Sequence, residues 1–183
     1  AMRVVRIRPG EEVELFDRQG KVASGIVESI ERDQAVVVAR DMLAPRESPL
    51  AIHLAMSIIQ LDKFELVLQK ATELGVRSFI PLMSDRIEVR PERLAGKAER
   101  WARIVFEAVK QSGRSVVPAV EPAARFHDIV ARPGTKIVFD ADQEPSPVEL
   151  GEAVTLFIGP EGGWSDAELR LAREHGCLFQ RLG

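Results

Sequence analysis

Cysteine is almost missing from this sequence and tyrosine entirely so: Cys177 is the one thiol in 183 residues, and aromatic residues make up only 5% of the chain. A single thiol excludes an internal disulfide and a cysteine-rich metal site. So few aromatic rings argue against a platform on which single-stranded bases stack. His53, His127 and His175 are the three histidines. They lie far apart with no ligand-like spacing, so each reads as an ordinary surface or core residue, and no metal is assigned. No apolar run reaches membrane-spanning length, and the N-terminus lacks the charged, apolar and small-residue sections of a secretory signal. A soluble, cytoplasmic protein is expected.

What is present is a hydrophobic content of 45%, enough for one large domain or two small ones, with a net charge of -3. That balance argues against a generally adhesive nucleic-acid binder, but it conceals an uneven distribution. Residues 63–114 hold 11 Lys or Arg against 7 Asp or Glu, whereas residues 115–183 hold 6 against 11. The basic charge is concentrated mid-chain. A solvated helix face accounts for such a patch unless other features support it.

From Met2 to Arg40 the sequence is strand-like: VVRIRPG, EVELF, KVASGIVESI and QAVVVAR, separated by Pro9, Gly10, Gly20 and Asp33. A small antiparallel barrel or sheet is expected, followed by a linker over Asp41–Pro49 with its two prolines. A second domain should begin at Leu50, so the expected boundaries are 1–49 and 50–183. There strands alternate with helices, which implies an α/β architecture with a mostly parallel sheet. Strands are expected at 51–59, 77–83, 136–140 and 154–158. A capping box of Asp62 and Glu65, with Leu61 and Leu66 as a hydrophobic staple, predicts a helix that Gly75 ends. Pro91 opens and Gly113 closes a long helix with Leu94, Ala98, Trp101, Val105 and Ala108 as its buried stripe. Arg100, Arg103, Glu107, Gln111 and Arg114 recur at helical spacing on it, which places the last three on one polar face at its end.

The stretch LFIGPEGGWSDAEL (156–169) takes an apolar strand through Gly-Pro-Glu-Gly-Gly into a helix. Such a turn lies at the carboxyl end of a strand, where α/β sheets bind ligands. Gly159, Gly162 and Gly163 have no side chains to keep a ligand from the main chain, and Pro160 stiffens the loop. Ser165 and Glu168 form a capping box, with Trp164 and Leu169 as its staple. A tight connection that binds nothing needs only one glycine in a left-handed conformation, and this loop exceeds that need. It is no phosphate cradle, because Lys-Ser or Lys-Thr does not follow and Glu161 would repel an anion. A neutral or cationic ligand suits it.

LFIGPEGGWSDAEL, together with RESPLAIHLA, DKFELVLQKATELGV and EAVKQSGRSVVP, resembles the bacterial small-subunit (16S) ribosomal RNA uridine-N3 methyltransferase family, a branch of the SPOUT methyltransferases. The resemblance runs over nearly the whole chain, in four blocks in the right order. It implies a PUA-like RNA-binding β-barrel before a SPOUT domain whose parallel sheet carries a C-terminal trefoil knot. It also implies S-adenosylmethionine as methyl donor, a homodimer, and small-subunit RNA within an assembled 30S particle as substrate. By this resemblance Ile158, Gly159, Pro160, Glu161, Gly162 and Gly163 form the cofactor loop, and Leu182 with Gly183 begin a second knot loop. Glu107, Gln111 and Arg114 match the family's Glu, Gln and Arg around its Gln-Ser-Gly-Arg segment. Arg114 is the expected stabiliser of the uridine anion and an RNA contact, Glu107 the base or orienting group, and Gln111 and Arg86 RNA contacts. Lys70 and Glu73 also match, and helix support explains them as well. The family has about one more strand before this N-terminus and a Pro-Arg-x-Leu-Arg-x-Glu-Thr-Ala segment after Leu-Gly. A truncated barrel, an incomplete knot and a lack of cofactor affinity and activity are therefore expected of this form. The rival readings are a non-catalytic RNA-binding module and a nucleotide-dependent enzyme using the glycine loop for phosphate.

Overall fold

A computed structural model describes residues 7–32, 34–87, 94 and 96–181. The strand expected at VVRIR therefore falls largely outside the described residues, as do Asp33, Pro91, Leu182 and Gly183. The chain forms two compact units, one of residues 1–47 with 113–117 and one of 48–112 with 118–183.

In the first unit β1 (Glu12–Phe16), β2 (Val22–Glu31) and β3 (Gln34–Leu43) form an antiparallel sheet in that order. Its described core is small: Val22 and Val27 from β2 with Val116 from the later segment. The turn between β1 and β2 is held by Asp17, whose Oδ1 accepts the N–H groups of Gln19 at 2.7 Å and Lys21 at 3.0 Å. β3 runs further than the linker expectation allows, because Met42 and Leu43 pair with Ala23 and Val22. Residues 113–117 belong with this unit although their neighbours in sequence belong to the other. Two groups help hold them: the Arg18 carbonyl accepts the Val117 N–H at 3.2 Å, and the Glu47 carboxylate accepts the N–H groups of Ser115 and Val116.

The second unit begins with β4 (Ala51–Ser57), α1 (Leu61–Glu73), β5 (Ser78–Met83) and α2 (Ala98–Ser112). It continues through β6 (Ala119–Val120), β7 (Ala124–Arg125), α3 (Phe126–Val130), β8 (Thr135–Phe139), β9 (Ala153–Ile158), α4 (Asp166–Glu174) and β10 (Leu178–Gln180). Among the described residues every strand pair of this unit is parallel, in the order β10-β8-β9-β4-β5-β6, with β7 also on β5. Consecutive residues of β5 are all buried up to Leu82, so both faces of the sheet are covered, as a parallel sheet requires. α3 and α4 share a core cluster with Ala55, Ile80, Leu82, Val138 and Phe157. α1 and α2 pack on each other through Phe64 and Trp101, whose rings lie 5.0 Å apart.

The α1 capping box does not form. The N-cap is Gln60 and makes no side-chain bond, while Asp62 lies inside the first turn. Glu65 is drawn instead to Arg100 of α2, which donates from Nε at 2.6 Å and Nη2 at 2.7 Å. A bidentate charged pair outweighs a single cap bond. On α2, Trp101, Val105 and Ala108 are buried as their spacing predicts. Ala98 is exposed, because the described helix begins there and its first turn stands clear of the core. Lys70 and Glu73 pair with each other at 3.0 Å along α1. The short elements β6, β7, α3 and β10 lie where no strand or helix is expected from the pattern.

Candidate functional site

A cleft of about 540 Å³ opens over the carboxyl ends of β8 and β9, lined by residues 139–143, 158–164, Arg86, Asp166 and Leu169. Its volume is within the range of small-molecule sites, and its place at the strand ends is where parallel α/β sheets bind ligands. All six expected loop residues, Ile158, Gly159, Pro160, Glu161, Gly162 and Gly163, line it. Arg86 lines it too.

The loop is held from beneath by Trp164. Its indole is buried, its Nε1 donates to the Phe139 carbonyl at 2.9 Å, and its ring lies 5.0 Å from that of Phe126. Gly159 is shaped to this indole: a Cβ there would lie 2.9 Å from Cε2 and 3.1 Å from Nε1 of Trp164. Gly163 has φ +69°, a conformation that side chains disfavour. These two glycines thus also serve the fold itself. Gly162 differs, since its Cβ would meet only ordinary contacts with Arg86, at 3.6 Å and beyond. The expected capping box is present: Ser165 is the N-cap, its Oγ accepts the Glu168 N–H at 3.2 Å, and the Glu168 carboxylate accepts the Ser165 N–H at 2.9 Å. Leu169 packs on the cluster that holds Trp164.

The opposite wall, 139–143, follows β8. Asp140 Oδ1 accepts the Asp142 N–H at 2.8 Å, Arg173 reaches Gln143 Oε1 at 2.6 Å, and Arg181 Nε donates to the Gln143 carbonyl at 2.9 Å. Among the described residues the lining carries the carboxylates of Asp140, Asp142, Glu161 and Asp166 and one guanidinium, that of Arg86. Such a rim favours a cationic ligand and disfavours a phosphate. Glu161 also pairs with Lys63 at 3.2 Å, an exposed contact of little energetic weight.

Glu107, Gln111 and Arg114 are not on one helical face. α2 ends at Ser112 and Gly113 turns out of it with φ +69°, so Arg114 leaves the helical spacing. Its side chain, 6% exposed, donates to Glu47 Oε2 from Nη2 at 2.7 Å and from Nε at 3.2 Å. Glu47 Oε1 accepts the backbone N–H of Ser115 at 2.9 Å and of Val116 at 3.0 Å. Burial alone pushes the Glu47 carboxyl up; the bonds from Arg114, Val116 and Ser115, with the Arg114 charge, outweigh it and hold the group below its ordinary range. Glu107 and Gln111 line a different cleft, of about 440 Å³, with Gln69, Arg103, Ile104 and Ala108. It shares no residue with the cleft at the glycine loop.

Sequence reasoning missed the Trp164 anchor on β8, the Glu47 clamp and the wall at 140–143. Only the last had a legible signal: Asp-Ala-Asp-Gln directly follows the apolar strand KIVF, at the same end of the sheet as the glycine loop.

A parallel α/β unit with a ligand cleft at its strand ends, joined to a small antiparallel unit, matches two family descriptions in chain order. Residues 46–183 match the RNA methyltransferase domain and residues 1–39 the RNA methyltransferase PUA domain, so the class is that of the RNA methyltransferases. The chain belongs to the ribosomal RNA small subunit methyltransferase E family. It is 31% identical to the member from Aquifex aeolicus over 95% of this chain and 78% of that one. It is also 31% identical to the Synechocystis member over 99% of this chain and 62% of that one. Among solved structures, the family member from Neisseria gonorrhoeae bound to S-adenosyl methionine is 33% identical with a TM-score of 0.90, over 100% of this chain and 78% of that one. A protein from Legionella pneumophila in complex with the same cofactor is 34% identical with a TM-score of 0.84, over the same shares.

Proposed function

We propose that this protein transfers a methyl group from S-adenosylmethionine to N3 of one uridine in small-subunit ribosomal RNA. The observation that carries the reading is the cleft bounded by Ile158–Gly163 and by 139–143, at the carboxyl ends of two adjacent parallel strands. The residues fit the donor. A rim of four carboxylates complements a sulfonium, main-chain groups of the loop can meet adenine and ribose, and Gly162 lacks a side chain where the fold does not demand that it should.

When bound, S-adenosylmethionine supplies an already activated methyl group. The protein's part is alignment: N3, methyl carbon and sulfur must lie in line as the C–N bond forms, the C–S bond breaks and the N3 proton departs. N3 takes part in base pairing, so the uridine must be unpaired or turned out of its helix to reach the cleft. Arg86, at the rim, is the cation we assign to the incoming RNA, and Arg103, Glu107 and Gln111 on α2 are assigned to a second contact surface. Glu107, which lines the other cleft and pairs with Lys110 at 2.6 Å, is assigned to this surface rather than to proton removal, and the N3 proton is assigned to solvent. Arg114, buried against Glu47, is assigned to holding 113–117 in place rather than to the reacting base. The wider reading includes a trefoil knot, a homodimer, the cytoplasm, and the assembled 30S particle as the form in which the RNA is met. The domain reading is a PUA-like β domain with its linker over 1–49 and a SPOUT domain over 50–183.

The test is methylation of small subunits from a modification-deficient strain by the full-length protein, with the product nucleoside identified by mass spectrometry. 3-Methyluridine at a single position is expected. RNA binding with no donor binding and no methylated product would instead support a non-catalytic RNA-binding module.

A further inference from the structure

The turn after β5 and the loop after β9 are joined although β4 lies between those strands in the sheet. In an ordinary capping box the glutamate serves only its own helix terminus. Glu168 does that with Oε2, which accepts the Ser165 N–H at 2.9 Å, and its Oε1 accepts the Asp85 N–H at 3.0 Å from the other segment. The residue is 5% exposed, so its charge is met by backbone donors from two separate parts of the chain. Ser165 Oγ donates in turn to the Asp85 carboxylate. The next residue, Arg86, donates from Nη1 to the Gly162 carbonyl at 2.9 Å. Beneath this turn, the buried hydroxyls of Ser84 and Ser57 of β4 bond at 2.9 Å. Arg86 thus enters the wall of the donor cleft from a strand two places away, while Glu168 does not line that cleft.

We infer that Glu168 is a positioning residue for the donor site: its carboxylate fixes the Asp85–Arg86 turn against the glycine loop and so sets the shape of the wall that Arg86 and Gly162 share. This rests on the proposed donor cleft. Both carboxylate oxygens accept N–H groups, so glutamine, equal in size, must turn its NH₂ toward one of two donors and lose that bond. Alanine at Arg86 removes the group that the latch positions and leaves the latch itself intact.

The experiment titrates S-adenosylhomocysteine into the full-length wild type, Glu168→Gln, Arg86→Ala and the double variant by calorimetry. Glu168→Gln is expected to bind about tenfold more weakly, the factor corresponding to ~1.4 kcal/mol, as for one charge-assisted hydrogen bond. The double variant is expected to bind no more than about threefold below the weaker single variant, because both changes act through one contact. Losses that multiply, or a Glu168→Gln protein that melts earlier but binds as the wild type does, overturn the positioning role and leave the donor cleft standing. A wild type that binds no nucleoside overturns the donor cleft and this inference with it. Hydrogen exchange without ligand gives a second readout, and Ser165→Ala serves in it should Glu168→Gln not fold. Amides of Arg86, Gly162 and Gly163 should speed up together while Leu54 and Val138 keep their protection; faster exchange on only one side of the latch contradicts the coupling.

Discussion

Alanine at Gly159 and alanine at Gly162 should have opposite consequences, although the two sites are three residues apart in one loop. At Gly159 the new Cβ would lie 2.9 Å from Trp164 Cε2, 3.1 Å from Nε1 and 3.2 Å from Cδ2, so the whole indole must shift. The indole is 4% exposed and cannot swing into solvent without opening the core cluster. Overpacking of this kind costs about 1–3 kcal/mol. If the shift also breaks the Nε1 bond to the Phe139 carbonyl, a further 0.5–1.5 kcal/mol, roughly, is lost. A total of roughly 1.5–4.5 kcal/mol lowers the melting temperature of a chain this long by roughly 3–18 °C. At Gly162 the added Cβ would meet Arg86 Cβ at 3.6 Å, an ordinary contact, and stability should stay within about 0.5 kcal/mol of wild type. Donor affinity should nonetheless fall, because the methyl group stands beside the cleft wall. Both tryptophans, Trp101 and Trp164, are in the second unit, so indole fluorescence during urea unfolding reports on that unit alone. A Gly159→Ala protein within 0.5 kcal/mol of wild type, roughly, or a Gly162→Ala protein as unstable as Gly159→Ala, would refute the distinction between the two glycines.

Glu47→Gln should destabilise the first unit by about 1.5–3 kcal/mol, because it removes the charge from the acceptor that takes bonds from Arg114 and from the Ser115 and Val116 N–H groups. Exchange of the Val27 and Val117 amides measures this, and unchanged protection would contradict it. The pH dependence has a definite sign. The folded Glu47 carboxyl lies below its ordinary 4.5, so its contribution is complete above that value and is lost as pH falls through the lower folded value. The wild type should therefore loosen in acid below about pH 4.5 in this unit, and Glu47→Gln should show a flatter acid limb. Burial pushes the Cys177 thiol up to about 11, with the nearby Lys136 charge opposing, so a disulfide reagent at neutral pH should label it only after unfolding. Rapid labelling of the folded protein would show that the thiol is more open than its position implies. Ser165→Ala removes the N-cap of α4 and should cost about 1 kcal/mol, read by the same urea titration. No change would mean that the cap bond is replaced by another.

The glycine loop was legible because its signals are local: a strand that ends in glycines and a serine followed three residues later by glutamate need no knowledge of the rest of the chain. The same logic misled at Asp62, where an equally good capping pattern lost to a partner 35 residues away, Arg100. Arg114 shows a second limit. Its spacing from Gln111 fits a helix, and only Gly113 and a carboxylate 67 residues earlier decide that it leaves one. Arg86 is placed in the cleft by a bond to Gly162, and its neighbour Asp85 by bonds to Ser165 and Glu168, all across the sheet. Nothing in the stretch Ser84–Arg86 itself announces that role. The parallel sheet was predictable from alternating elements, whereas β7 and β10, two and three residues long, form because neighbouring strands offer edges.

The most direct test of the donor site is a crystal structure of the full-length protein with S-adenosylhomocysteine. The nucleoside is expected in the cleft between 139–143 and 158–164, in contact with main-chain groups of Ile158–Gly163. Nucleoside bound elsewhere, or this cleft filled by the protein's own side chains in the complex, would contradict the assignment of the donor site.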